Sequence, residues 1–218
     1  GYIVFKQKDS LVYLDPSNLE PVKKRKLENQ QGDFFPVWSM HEDANGNLWV
    51  GDHEGSCVYI LEADTIKLLQ GWDKNRAEIK IYQMLEAGED SLWFASSNGL
   101  YLIHASEQRI LAHFGQNPQA SNRLPSSQIY HILKEEDGSF WLGTAGSGLV
   151  RWSPEEGVIV RYTRANGLPN NTIYAIYEGE GGYLWLSTDN GIARFDKTHE
   201  IVRGYTMQDG LSHHEFNR

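Results

Sequence analysis

Cysteine is almost missing from this 218-residue sequence, which contains one, Cys57. An internal disulfide and a cysteine-built zinc site both need more than one cysteine, so both are excluded. The sequence also has no apolar run near the ~20 residues of a membrane-spanning helix and no signal-peptide pattern. Its net charge of −9 lacks the basic excess that nucleic acid or an anionic membrane surface attracts. We therefore expect no nucleic-acid partner, and a membrane connection only through segments outside this sequence.

Internal repetition is what the sequence does contain. Residues 37–51, 81–95, 129–143 and 173–187 read VWSMHEDANGNLWVG, IYQMLEAGEDSLWFA, IYHILKEEDGSFWLG and IYAIYEGEGGYLWLS. The tryptophans of these copies, Trp49, Trp93, Trp141 and Trp185, stand 44, 48 and 44 residues apart. A fifth, degenerate copy opens the chain and has Val4 where the other copies have tryptophan.

Each copy has the composition of β-hairpins. Apolar and aromatic residues alternate over short stretches, and Asp, Asn and Gly turns separate the stretches. Four strands per 44–48 residues are typical of a propeller blade. We predict an all-β fold, a β-propeller of four-stranded antiparallel blades with the repeated tryptophans in their cores. The predicted blades are residues 1–36, 37–78, 79–128, 129–172 and 173–218, the first without its first strand; a solenoid of stacked hairpins is the alternative architecture.

The segments GLPNNTIYAIYEGEGGYLWLSTDNGIARFD (167–196) and NRLPSSQIYHILKEEDGSFWLGTAGSGLVRW (122–152) closely resemble the two-component-regulator propeller repeat. This resemblance implies the extracytoplasmic, periplasmic sensor region of a bacterial membrane receptor, whose output is a histidine kinase, often a hybrid kinase, or a diguanylate cyclase. It also implies a longer parent protein that acts as a homodimer, of which these five blades are a fragment. Whether the five blades close into a ring or form an open arc stays open.

A ligand site is expected on the face where the connections between blades lie. In a four-stranded meander, the turn between strands two and three lies at the same end as the connection to the next blade. Aromatic platforms with polar neighbours at that end suit a small polar ligand such as an oligosaccharide. The candidate binding residues are Trp38, His53, Arg76, Tyr82, Gln128, Tyr130, Asn171, Tyr174 and Asp189; packing of the blade centres is the alternative role for each of them.

No catalytic or metal-binding constellation stands out in the sequence. A sialidase-like glycosidase would need an arginine cluster and a supported tyrosine nucleophile, and the arginines show no such arrangement. His213 and Glu215 fall on one face of an extended segment without an evident third ligand. We expect neither enzymatic activity nor a cofactor. A non-catalytic protein-interaction propeller is the alternative to a ligand sensor, and a glycosidase is the less favoured one.

Overall fold

The computed structural model describes residues 3–27, 37–52, 58–61, 66–69, 79–88 and 90–216. These residues form nineteen β-strands and three short 3-10 turns, and none of them lies in an α-helix. Nor does the described part of the chain hold any helix long and apolar enough to cross a bilayer. The all-β fold predicted from the repeats is confirmed.

The chain divides into two compact units, residues 1–81 and 82–218. The first unit holds two antiparallel sheets, each with its strands in chain order. One is three-stranded, with β1 Ile3–Gln7, β2 Ser10–Leu14 and β3 Pro21–Lys26; the other is four-stranded, with β4 Val37–Glu42, β5 Leu48–Asp52, β6 Val58–Leu61 and β7 Ile66–Leu68. The first sheet thus has three strands, as the missing first strand of the opening repeat predicts.

The second unit contains three further four-stranded meanders. The third sheet consists of β8 Ile81–Gly88, β9 Ser91–Ser96, β10 Gly99–His104 and β11 Arg109–Phe114. The fourth consists of β12 Ile129–Lys134, β13 Phe140–Thr144, β14 Leu149–Ser153 and β15 Gly157–Tyr162. The fifth consists of β16 Ile173–Glu178, β17 Tyr183–Thr188, β18 Gly191–Asp196 and β19 Ile201–Tyr205. One repeat of the sequence therefore corresponds to one sheet.

The repeated tryptophans lie in the second strand of each four-stranded sheet, and in the second unit Trp93 and Trp141 fill the space between consecutive sheets. Trp93 of the third sheet packs against Phe140 and Trp152 of the fourth, with ring centroids 5.2 and 6.4 Å apart. Trp141 of the fourth sheet packs in the same way against Phe195 of the fifth, at 5.3 Å. Large flat rings are suited to such wedge-shaped gaps because they bury much area in one layer.

The prediction that all four tryptophans are core residues is wrong for Trp185. Trp49, Trp93 and Trp141 are at most 5% exposed, whereas Trp185 is 37% exposed. Trp185 contacts Tyr205 of its own sheet, with ring centroids 5.8 Å apart. Trp93 and Trp141 are each covered by the sheet that follows in the chain, and among the described residues no sheet follows that of Trp185.

Glycine at the start of the third strand is required by the backbone of each repeat in the second unit. Gly99, Gly148 and Gly191 have φ values of 97°, 83° and 88°, a region that other residues rarely adopt. A Cβ atom at these positions would lie 1.9–2.0 Å from the carbonyl oxygen of the last residue of the neighbouring fourth strand. The motif therefore has glycine there both for its conformation and for close approach of two strands.

Candidate functional site

Three of the predicted binding residues form one continuous aromatic column. Tyr82, Tyr130 and Tyr174 lie at the second position of β8, β12 and β16, the first strand of three successive sheets. The rings of Tyr82 and Tyr130 meet edge to face with centroids 4.8 Å apart, and those of Tyr130 and Tyr174 are tilted at 4.9 Å. All three are half-buried. The repeat thus brings together side chains that are more than forty residues apart in the sequence.

Two further predicted residues bind the hydroxyl groups of this column. The Tyr174 hydroxyl donates to Asp189 Oδ1 at 2.7 Å, and the Tyr130 hydroxyl donates to Gln128 Oε1 at 3.2 Å. Burial of the ring raises the pKa of Tyr174, and the hydrogen bond and charge of Asp189 raise it further. Tyr174 is therefore a neutral hydrogen-bond donor at neutral pH, held in place by a carboxylate.

Of the four remaining predicted residues, the structure describes Asn171 and Trp38. Asn171 is near the aromatic column in sequence, but its side-chain oxygen accepts a hydrogen bond from the backbone of Arg164 at 2.8 Å, within the connection itself. Trp38 lies in β4 of the first unit and is 37% exposed. His53 and Arg76 fall outside the described residues.

In the second unit, the turns between strands two and three lie at the same end of each sheet as the connections to the next sheet, as expected. Gly99 and Gly148, which follow the turns between strands two and three, donate their amide hydrogens to the carbonyl oxygens of Ser127 and Asn171 in the following connections. Gly191 donates likewise to His214. Each tyrosine of the column therefore lies just after a connection, at the start of the first strand of its sheet. For Tyr130 and Tyr174, this connection is hydrogen-bonded to the turn of the preceding sheet.

The chemistry available at the tyrosine column is stacking and hydrogen bonding. Half-buried aromatic rings with fixed hydroxyls can hold the apolar face of a polar molecule and contact its hydroxyl groups. In the described residues no three His, Cys, Asp or Glu side chains come together as metal ligands.

Sequence reasoning missed a second concave surface, a cleft of about 480 Å³ at the outer side of the fourth sheet. It is lined by Gln116, Ser121, Arg123, Leu124, Pro125, Glu156, Val158 and Arg161. Five of these residues belong to the connection between β11 and β12. The longest of the three tryptophan intervals, 48 residues between Trp93 and Trp141, is the sequence signal of this feature.

The repeats match a known family. Residues 36–54, 123–146 and 167–190 fit the family described as "Two component regulator propeller". Three segments of the chain are similar to this propeller repeat. The three matches lie in the second, fourth and fifth repeats, and two of them include the turn-and-tryptophan segment of β13 or β17.

One protein sequence and two solved structures are also similar to this chain. Over 83 residues this chain is 29% identical to histidine kinase P4 of Formosa agariphila, a match spanning 35% of this chain and 6% of that protein. The extracellular domain of a hybrid two component system from B. thetaiotaomicron superposes with a TM-score of 0.73 at 20% identity, over 97% of this chain and 29% of that one. The virginiamycin B lyase of Staphylococcus aureus superposes with a TM-score of 0.68 at 20% identity, over 95% of this chain and 67% of that one. These structures establish the β-propeller fold.

Proposed function

We propose that this chain is the ligand-sensing propeller region of a bacterial two-component sensor histidine kinase, located outside the cytoplasmic membrane. The observation that carries the proposal is the three-fold match to regulator propeller repeats. The similarity to a histidine kinase, although it covers 6% of that protein, points to the same class of receptor. In such a receptor the propeller would work as part of a homodimer and pass a ligand signal to an output domain beyond this sequence.

The tyrosine column supports a small polar ligand, with an oligosaccharide as the proposed class. Tyr82, Tyr130 and Tyr174 offer a stacked aromatic surface, and sugars present apolar C–H faces that suit such rings. Gln128 and Asp189 fix two of the hydroxyls and have further acceptor capacity for sugar hydroxyls. Trp38, His53, Arg76 and Asn171 remain predicted contributors.

Binding of neutral oligosaccharides to the 218-residue chain tests this proposal. Cellotetraose, xylotetraose and maltotetraose would be titrated while the melting temperature and the heat of binding are recorded. We expect at least one of them to raise the melting temperature, because a ligand that binds the folded state alone stabilises it by mass action. Tyr130→Ala should abolish that rise, and Tyr174→Phe, which keeps the ring and loses the bond to Asp189, should weaken binding less.

The matched control is Tyr177→Ala, since Tyr177 lies on the same strand as Tyr174 and is 65% exposed. It should bind like the wild type. Failure of all three sugars to bind would contradict the oligosaccharide proposal and favour a protein-interaction propeller. Hydrolysis of a chromogenic sialoside, abolished by a single substitution, would contradict the proposal that the chain is not an enzyme.

A further inference from the structure

The cleft beside the fourth sheet exists because one connection is longer than its equivalent. Fourteen residues join β11 to β12, whereas ten residues join β15 to β16. The four additional residues account for the wider tryptophan interval in this repeat. Insertions in repeat proteins map to loops on one face, often the face that binds a partner or ligand.

The long connection is fixed against the fourth sheet by a set of specific hydrogen bonds. Asn122 donates through its side-chain amide to the carbonyl oxygen of Pro154 at 2.7 Å, and its own carbonyl accepts from the indole of Trp152 at 2.9 Å. Ser147 donates to the carbonyl oxygen of Pro125 at 3.1 Å. Leu124 is buried below the connection. The wall of the cleft is therefore preorganised, which lowers the entropic cost of ligand binding.

Two guanidinium groups line the cleft in a chain whose net charge is −9. Arg161 on β15 is oriented by its Nε, which donates to the carbonyl oxygen of Ser147 at 2.6 Å, and this leaves its terminal nitrogens for another acceptor. Arg123 makes no side-chain hydrogen bond or ion pair with any residue in the described part of the chain. Glu156 also lines the cleft without an ion pair to either arginine among those residues.

We propose that this cleft binds a small organic anion, a carboxylate-bearing molecule with a partly apolar body. The planar guanidinium fork matches a carboxylate with two parallel hydrogen bonds, which is why arginine is used for this recognition. Pro125 and Val158 supply an apolar surface for the body of the ligand, while Gln116 and Ser121 supply polar contacts. The site is separate from the tyrosine column and does not depend on the function proposed for it.

A pair of probes that differ in one group tests the proposal. D-glucuronate and D-glucose differ in the carboxylate, and their binding to the 218-residue chain can be followed by NMR titration of backbone amides. We expect glucuronate to bind at least tenfold more tightly than glucose and to shift the amide signals of residues 116–125 and 156–161. Equal binding of glucose, or shifts confined to other residues, would overturn the proposal.

Three substitutions should change the affinity for glucuronate in different ways. Arg123→Gln should weaken glucuronate binding at least tenfold, because it removes one charge of the fork. Glu156→Gln should strengthen the binding severalfold, because a negative charge beside the carboxylate is lost. Arg164→Gln, outside the cleft, should change nothing. An unchanged affinity in Arg123→Gln would overturn the assignment.

The affinities of inorganic phosphate and sulfate show whether the cleft recognises an organic anion or only attracts negative charge. If either ion binds as tightly as glucuronate, the proposed recognition of an organic body is wrong. Neutral oligosaccharide binding at the tyrosine column should be the same in Arg123→Gln and in the wild type. Loss of glucuronate binding with unchanged oligosaccharide binding therefore tells the two proposals apart.

Discussion

The indole nitrogen of Trp141 donates to Glu135 at 2.6 Å, and that of Trp49 donates to Asp43 at 2.8 Å. In both repeats the acceptor stands six residues before the tryptophan, in the turn between strands one and two. Turn geometry alone explains why acids such as Asp43 and Asp137 stand in these turns. Asp43 has a second task, because a buried indole N–H needs an acceptor. The spacing of six residues is the signal by which this pair could have been found.

Glu135 should matter more for stability than Asp137 in the same turn. Glu135 accepts from the indole of Trp141 and from Lys197 Nζ at 3.0 Å, in a half-buried position. Glu135→Ala should lower the free energy of unfolding by about 1–3 kcal/mol, because a buried donor loses its partner. Asp137→Ala should cost about 1 kcal/mol or less, because its bonds to Ser139 and Arg151 are exposed to water. Denaturant titration of both variants measures the difference, and equal losses would contradict the role given to Glu135.

Tyr162 should make the fold sensitive to alkaline pH. Burial of the phenol, followed by the hydrogen bond and charge of Glu200, raises the pKa of Tyr162 to about 12. The unfolded chain releases this proton near pH ~10. The stabilisation is therefore complete below that pH and is lost as the pH rises towards the folded pKa of Tyr162, because the unfolded state then binds fewer protons. In Tyr162→Phe the free energy of unfolding should fall less steeply between pH 10 and 12; an unchanged slope would refute this.

At the level of strands, the repeat was predictable because each signal in it has a local cause. Aromatic alternation, the turn residues and the glycine before each third strand specify a meander without knowledge of distant contacts. The cleft could not be predicted in the same way. A longer interval between Trp93 and Trp141 shows that residues have been added, but their conformation depends on Trp152, Pro154 and Ser147 of the next sheet. The hydrogen bond that the Asn171 side-chain oxygen accepts from the backbone of Arg164 was likewise not predictable from the repeat.

Two glycines with similar φ values allow the cost of a left-handed backbone to be measured apart from the cost of a steric clash. Gly148 has a φ of 83° and Gly138 a φ of 84°, but a Cβ atom at Gly148 would lie 1.9 Å from the Tyr162 carbonyl oxygen, whereas nothing lies within 4 Å at Gly138. Gly138→Ala should cost about 1 kcal/mol, the usual penalty of a left-handed backbone. Gly148→Ala should cost more and should separate β14 from β15, which amide hydrogen exchange can detect. Equal losses of stability in the two variants would show that the contact is relieved without cost.

At the scale of the whole molecule, the repeated tryptophans Trp141 and Trp185 of the second unit differ in how much of each ring is covered. Trp141 lies between the fourth and fifth sheets, whereas Trp185 is partly open to water. Trp141→Ala should cost about 3–5 kcal/mol, the usual loss for a large buried ring. Trp185→Ala should cost clearly less, because much of its surface is already hydrated. The sequence could not distinguish the two residues, since the difference lies in what covers each ring and not in the repeat itself.

Quenching of tryptophan fluorescence by acrylamide offers an independent measurement of the exposure of Trp185. Trp185 should be the most readily quenched of the four repeated tryptophans, and Trp185→Phe should reduce the quenchable component, to which Trp38, also 37% exposed, contributes as well. Trp141→Phe should leave that component in place. A quenchable component that is the same size in Trp185→Phe as in the wild type would contradict the exposed position of Trp185.

The connection after the fourth sheet and the segment after the fifth have the same construction. Thr163 and Thr206 begin 3-10 turns with reciprocal side-chain caps, and Gly167 and Gly210 end them in the left-handed conformation. The two constructions are 43 residues apart. An in-register duplication of this length in the gene would therefore copy each cap together with the backbone groups it satisfies. Such a protein can gain or lose whole units by recombination at little structural cost, while an insertion of any other length inside a cap would be selected against.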